Sequence, residues 1–154
     1  MVKRLLAALC LLVTVSGCNA AWWPETVIKV DPGAVTEVRS VGRVVTQTFT
    51  DPMYERTVQV IEILVVDMQA ADFPEALDLA RDRLEQLGWK EVGSTDVMVQ
   101  MESSRWKGTT TRLGSVEDLE SLGAQLEPAA GEALQADAKK WATYILVSLS
   151  SVNE

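Results

Sequence analysis

The ten residues Thr57 to Val66 read TVQVIEILVV and are apolar at alternating positions of both parities. Successive side chains of a strand point to opposite faces, so this run belongs in the middle of a sheet with further strands beside it. The next segment supplies a helix. Asp72 can cap it, Pro74 suits its first turn, and Glu75 stands three residues after Asp72 in a capping-box relation. Phe73, Leu77, Ala80, Leu84 and Leu87 form one apolar stripe, while Glu75, Asp78, Asp82 and Glu85 face water. Gly88 is the natural residue after the helix end, and Trp89 can fold back on Leu84 as a structural cap.

Weaker signals fill the rest of the chain. Thr26 to Val30 reads as a short strand, and Asp31-Pro32-Gly33 and Thr50 to Tyr54 read as turns. Val35 to Thr50 is rich in Val and Thr, predicting one strand interrupted near Ser40 to Gly42. Asp96 to Ser103 predicts a strand with Val97, Val99 and Met101 on one face, continuing through a hairpin turn into Trp106 to Leu113. Ser115 with Asp118 opens a short helix that Gly123 ends. Pro128 opens another, with Ala130, Leu134, Ala138 and Trp141 at helical spacing. Gly131 weakens that helix by about 1 kcal/mol relative to Ala. Thr143 to Val152 reads as a closing strand. This order predicts an α+β fold: a two-layer sandwich with a mainly antiparallel sheet and two helices on one face. A ferredoxin-like βαββαβ core with an added N-terminal hairpin is the specific expectation.

The first 18 residues have the grammar of an export signal. Lys3 and Arg4 are a short positive region, and Leu5 to Val15 is an apolar run whose one polar member is Thr14. That run is well below the ~20 apolar residues needed to span a bilayer. Small Ser16 and Gly17 then lead straight into Cys18. The tetrapeptide Val15-Ser16-Gly17-Cys18 resembles the lipobox of bacterial lipoproteins at all four positions. The resemblance implies diacylglycerylation of the Cys18 thiol, cleavage between Gly17 and Cys18, and further acylation of the new amino group. Two or three acyl chains on one residue hold a protein on a membrane stably, where a single chain binds reversibly. Asn19, not Asp, follows the cysteine and favours the outer membrane if the cell has two membranes. Trp22 and Trp23 are four and five residues beyond the anchor, within reach of the headgroup layer that Trp prefers. The chain thus divides into a removed signal peptide at 1–17, a lipidated tether at 18–34 and a single α+β domain at 35–154.

Composition narrows the chemistry. Cleavage removes 17 of 154 residues, Lys3 and Arg4 among them, and leaves 137 with 12 basic against 22 acidic residues. A net charge of −10 argues against nucleic acid and against electrostatic adhesion to anionic lipid. Cys10 leaves with the signal and lipid consumes Cys18, so the domain has neither a disulfide nor a free thiol. Histidine is absent, which removes Ser-His-Asp triads, Cys-His pairs and histidine zinc sites.

Three polar features merit weighing. Glu62, flanked by Ile61 and Ile63, could hold a raised pKa, although a paired or solvated carboxylate is the simpler reading. Ser104-Arg105-Trp106-Lys107 has the Ser-x-x-Lys spacing of penicillin-binding enzymes, but the accompanying Lys-Thr-Gly is missing and the segment reads as a turn. Arg105, Trp106 and Lys107 set an aromatic between two cations in an acidic protein, a contact for an anionic polymer or partner unless Trp106 merely stacks on the sheet. No catalytic, cofactor or metal residues are expected. The expected function is a lipid-anchored, non-catalytic binding or scaffolding module of the cell envelope, on the extracytoplasmic face of the membrane. The alternatives are a small-ligand carrier, a carboxylate-based envelope hydrolase, or an accessory subunit of a transporter.

Overall fold

The computed structural model describes residues 24–126, 128–135 and 138–152. The lipobox expected at Val15 to Cys18, and the interfacial residues expected at Trp22 and Trp23, lie outside the described residues. The elements in chain order are β1 (Thr26–Ile28), α1 (Pro32–Arg39), β2 (Arg43–Thr50), β3 (Met53–Tyr54), β4 (Thr57–Gln59), β5 (Ile61–Asp67), α2 (Phe73–Gln86), β6 (Trp89–Thr95), β7 (Met98–Ser103) and β8 (Thr109–Ser115). A 3-10 helix (Val116–Leu122), α3 (Pro128–Gln135), α4 (Ala138–Trp141) and β9 (Ile145–Ser151) complete the chain. The fold is α+β, with a six-stranded sheet in the order β2-β5-β9-β8-β7-β6 and a three-stranded sheet in the order β1-β4-β3. Every neighbouring pair of the larger sheet is antiparallel.

The run Thr57 to Val66 is not one strand: Thr57–Gln59 forms β4 of the small sheet, and only Ile61–Asp67, β5, takes the expected central place, between β2 and β9. Leu64 and Val66 enter one apolar cluster and Ile63 and Val65 enter another on the opposite face. The first cluster is the larger: α1 contributes Ala34 and Val38, α2 contributes Ala76, Leu77, Ala80 and Leu84, and β9 contributes Ile145, Val147 and Leu149. The second joins Ile63, Val65 and Leu146 to Val116 and Leu119 of the 3-10 helix and Leu134 of α3. The expectation of helices on one face is therefore corrected. α1 and α2 share a face, but an apolar strand has two sides, and the 3-10 helix and α3 cover the other.

The ferredoxin-like order is also not the one observed. A split βαβ unit sets one strand between the two that its helix joins. Here α2 joins β5 to β6 across β9, β8 and β7. The added edge strand, β6, carries only one buried residue, Trp89, and so shows no apolar alternation in the sequence.

Local signals explain most element ends. The Asp72 carboxylate accepts a hydrogen bond from the Glu75 N–H at 2.9 Å, and the Glu75 carboxylate accepts one from the Ala71 N–H at 2.7 Å. That reciprocal pair starts α2. Gly88 ends it with φ of 91°, a conformation that L side chains rarely adopt. The Ser115 hydroxyl accepts from the Glu117 N–H at 3.2 Å, and Gly123 closes the 3-10 helix in the left-handed region.

The interval from Val35 to Arg39 is helix, not strand. Asp31 caps it through the Gly33 N–H at 2.7 Å, and Pro32 occupies its first turn. Ala34, Val38 and Val41, spaced four and three apart, are 0%, 0% and 2% exposed. Packing of that stripe outweighs the modest cost of β-branched residues in a helix. The segment 18–34, expected as a tether, includes Val30 and Ala34, and both belong to the main core. Val97, expected beside Val99 and Met101, sits instead in the β6–β7 turn and is 61% exposed.

Candidate functional site

Five residues separate β7 from β8, and they form the wall of a groove. Arg105, Trp106 and Lys107 of this loop meet Lys29 and Asp31 from the β1–α1 connection, with Thr109 and Ser151 at the floor, around about 470 Å³ of space. The topology brings these segments together: β8 pairs with β9, setting Thr109 opposite Ser151. Gln59 of β4 donates to the Ser151 carbonyl at 3.2 Å and ties the small sheet to the same corner.

Trp106 is held from three sides. Its backbone N–H donates to the Ser103 hydroxyl at 2.9 Å, bending the chain sharply out of β7. Its ring lies against the first turn of α1, so close that a Cβ on Gly33 would stand 2.4 Å from the ring. The Arg105 guanidinium covers the ring at 4.9 Å from its centroid, a cation–π distance. Glu37 fixes that guanidinium from α1. One carboxylate oxygen is 3.5 Å from Arg105, and the other accepts the Trp89 indole N–H at 2.8 Å. The Glu37 side chain is only 12% exposed, so the buried Trp89 positions an acid that in turn positions Arg105.

One group in this arrangement is left over. The Trp106 indole nitrogen is buried and has no hydrogen-bond partner among the described residues. Leaving a buried donor unpaired costs about 1–3 kcal/mol, and an indole can only donate. Lys29 and Lys107 make no ion pair among the described residues. The Asp31 carboxylate caps α1 and keeps its negative charge in the groove. The lining thus carries three cations, Lys29, Arg105 and Lys107, against one carboxylate, while the Trp106 N–H is buried behind it.

The other polar features have structural partners. Glu62 lies at the β2–β5 pairing and accepts from the Gln47 amide at 3.0 Å, while Gln47 accepts from Arg39 at 2.6 Å. The Ser104 hydroxyl donates to the Gly88 carbonyl at 2.6 Å, so the Ser-x-x-Lys spacing locks a turn to the end of α2. A second cleft of about 380 Å³ is lined by Arg43, Asp67, Gln69, Ala70, Lys140 and Thr143. Its carboxylate is committed: Asp67 accepts from Arg43 at 2.5 Å and from the Gln69 N–H at 2.8 Å. Burial pushes the Asp67 carboxyl up, but the Arg43 hydrogen bond, the Gln69 N–H and the nearby positive charge together hold it below its ordinary value. Among the described residues no three His, Cys, Asp or Glu side chains gather where they could hold a metal ion.

The sequence singles out Arg105, Trp106 and Lys107 but gives no sign of Lys29, Asp31 and Glu37, which the fold sets beside them. Asp31 and Glu37 sat in segments read as turn and strand, and Lys29 lies more than 70 residues from the loop that it faces. Nothing in the linear pattern joins them. Among the described residues no helix is long and apolar enough to cross a membrane. Compared with protein-family models, curated proteins and solved structures, the chain matches none.

Proposed function

We propose that this chain is a lipid-anchored protein of the extracytoplasmic face of a cell membrane, and that its domain binds a partner instead of catalysing a reaction. In this reading acylated Cys18 supplies the anchor, Trp22 and Trp23 settle into the headgroup layer, and the groove around Trp106 receives an acidic segment of an envelope protein. The carrying observation is that Lys29, Arg105 and Lys107 line one groove beside Trp106, with Asp31 as the one carboxylate in its lining. In a chain of net charge −8, cations gathered at one groove run against the general surface. A carboxylate from a partner supplies the countercharge.

The hydrolase alternative draws no support from the Arg43 cleft, where the one lining carboxylate, Asp67, is engaged by Arg43 and by the Gln69 N–H.

Titration with poly-glutamate, followed through the indole N–H signals in proton–nitrogen spectra, tests the binding reading. The Trp106 signal, identified by its loss in Trp106→Phe, is expected to move. Reversing two charges with Arg105→Glu and Lys107→Glu is expected to weaken binding about tenfold or more, as loss of charge-assisted contacts should. An unmoved Trp106 signal, or equal affinity in the reversed variant, refutes the groove as the binding site.

A further inference from the structure

The small sheet is a blade with apolar side chains on both faces. In register, Met53, Val58 and Val27 share one face, and Tyr54, Thr57 and Thr26 share the other. Met53 is 61% exposed, Tyr54 76% and Val27 49%. A three-stranded ribbon this short buries little on its own. Its tip is also strained. Glu55 and Arg56 form the β3–β4 turn with φ of 51° and 86°, a left-handed pair usually given to Asn and Gly. Such strain persists where the surroundings hold it and clusters at functional positions.

The chain from the N-terminal side enters the fold at this tip. Glu25 and Thr26 donate their backbone N–H groups to the Arg56 carbonyl at 2.8 and 3.4 Å, and the Arg56 guanidinium pairs with Glu25 at 2.6 Å. β1 runs parallel to β4, so it leads from the tip back toward the body of the domain. Cys18 is six residues before Pro24, a span of at most about 22 Å when fully extended. An anchor on Cys18 therefore tethers the domain by its hairpin tip, with two exposed apolar residues and an aromatic at the bilayer end.

We infer that the β3–β4 hairpin tip, through Met53, Tyr54 and the adjoining Val27, docks into the surface of the lipid bilayer and fixes the orientation of the domain. The inference rests on the lipid-anchored reading. Tyrosine favours the headgroup level, where its ring is buried and its hydroxyl stays wet. The flanking charges are three acids, Glu25, Asp51 and Glu55, against Arg56, so the docking is apolar and does not depend on anionic lipid. With the tip in the interface, the Trp106 groove stands at the inner end of β1, turned away from the bilayer toward a partner.

The test uses the chain from Asn19 onward, which keeps every described element, carried by an N-terminal hexahistidine tag on phosphatidylcholine vesicles containing nickel-chelating lipid. It contains no cysteine, so Met53→Cys and Val97→Cys each take one fluorescent label, at positions equally exposed at 61%. On vesicles the label at 53 is expected to lose accessibility to aqueous iodide and to gain quenching by brominated lipid. The label at 97 is expected to change in neither respect. Tyr54→Asp, at a position 76% exposed and with its fold checked by circular dichroism, is expected to return the label at 53 to water. Equal iodide accessibility at 53 and 97 on vesicles overturns the inference, as does an unaffected label in Tyr54→Asp. Because the tag replaces the lipid, the anchor is scored separately, by lipid labelling and membrane fractionation of the full chain and its Cys18→Ser variant. Docking without labelled Cys18 sinks the anchor alone, and labelled Cys18 without docking sinks the tip alone.

Discussion

Asp67 ends β5 and does three jobs with two oxygens: it pairs with Arg43, it caps the following turn through the Gln69 N–H, and it lets Gln69 adopt φ of 59°. Its folded pKa lies below the ordinary 3.8. The resulting stabilisation is fully present above the unfolded pKa and is lost as pH falls through the folded one. Asp67→Asn is therefore expected to lower the melting temperature at neutral pH, and the gap from wild type should close in acid below about pH 4. Thermal melts from pH 7 to pH 2 check this; a gap that stays constant into acid refutes it. Glu37 is a second residue whose role the sequence hides. Its partners are Trp89 and Arg105, both more than 50 positions away, and only the fold joins them.

At the level of elements, legibility followed the strength of the local code. α2 was readable because cap, first-turn proline, apolar stripe and terminal glycine all agreed. β5 was readable because its two faces are both apolar. α1 was not, because Val and Thr favour strands in isolation and its eight residues present too few periods to reveal the buried stripe. β6 was missed because it buries Trp89 alone. A single substitution distinguishes the two readings of α1. Thr36 is exposed, and its hydroxyl donates back to the Pro32 carbonyl at 2.8 Å. In a helix Thr36→Ala should stabilise by about 0.5 kcal/mol, whereas in a strand the same change should destabilise. Urea denaturation reads the sign.

For the whole molecule, the class was legible and the layering was not. Alternating strands and helices announce α+β, but nothing local says that the 3-10 helix and α3 close the second face. Those segments carry apolar residues whose destination depends on Ile63, Val65 and Leu146, far away in the chain. The candidate groove divides in the same way: its loop could be picked out by composition, its other wall could not. β9 tests the integrity of the sheet. It lies between β5 and β8, so truncation after Trp141 is expected to abolish cooperative unfolding and expose the remainder to protease. A truncated chain that still melts sharply would contradict the strand order. The position of β9 also bears on how the protein is made. Without it, β2 with β5 and β8 with β7 and β6 are two separate ribbons, and the strand that joins them is the last of the described strands to be synthesised. The six-stranded sheet can therefore close only after the chain through β9 has left the ribosome, so the final step of its folding follows the synthesis of every described strand.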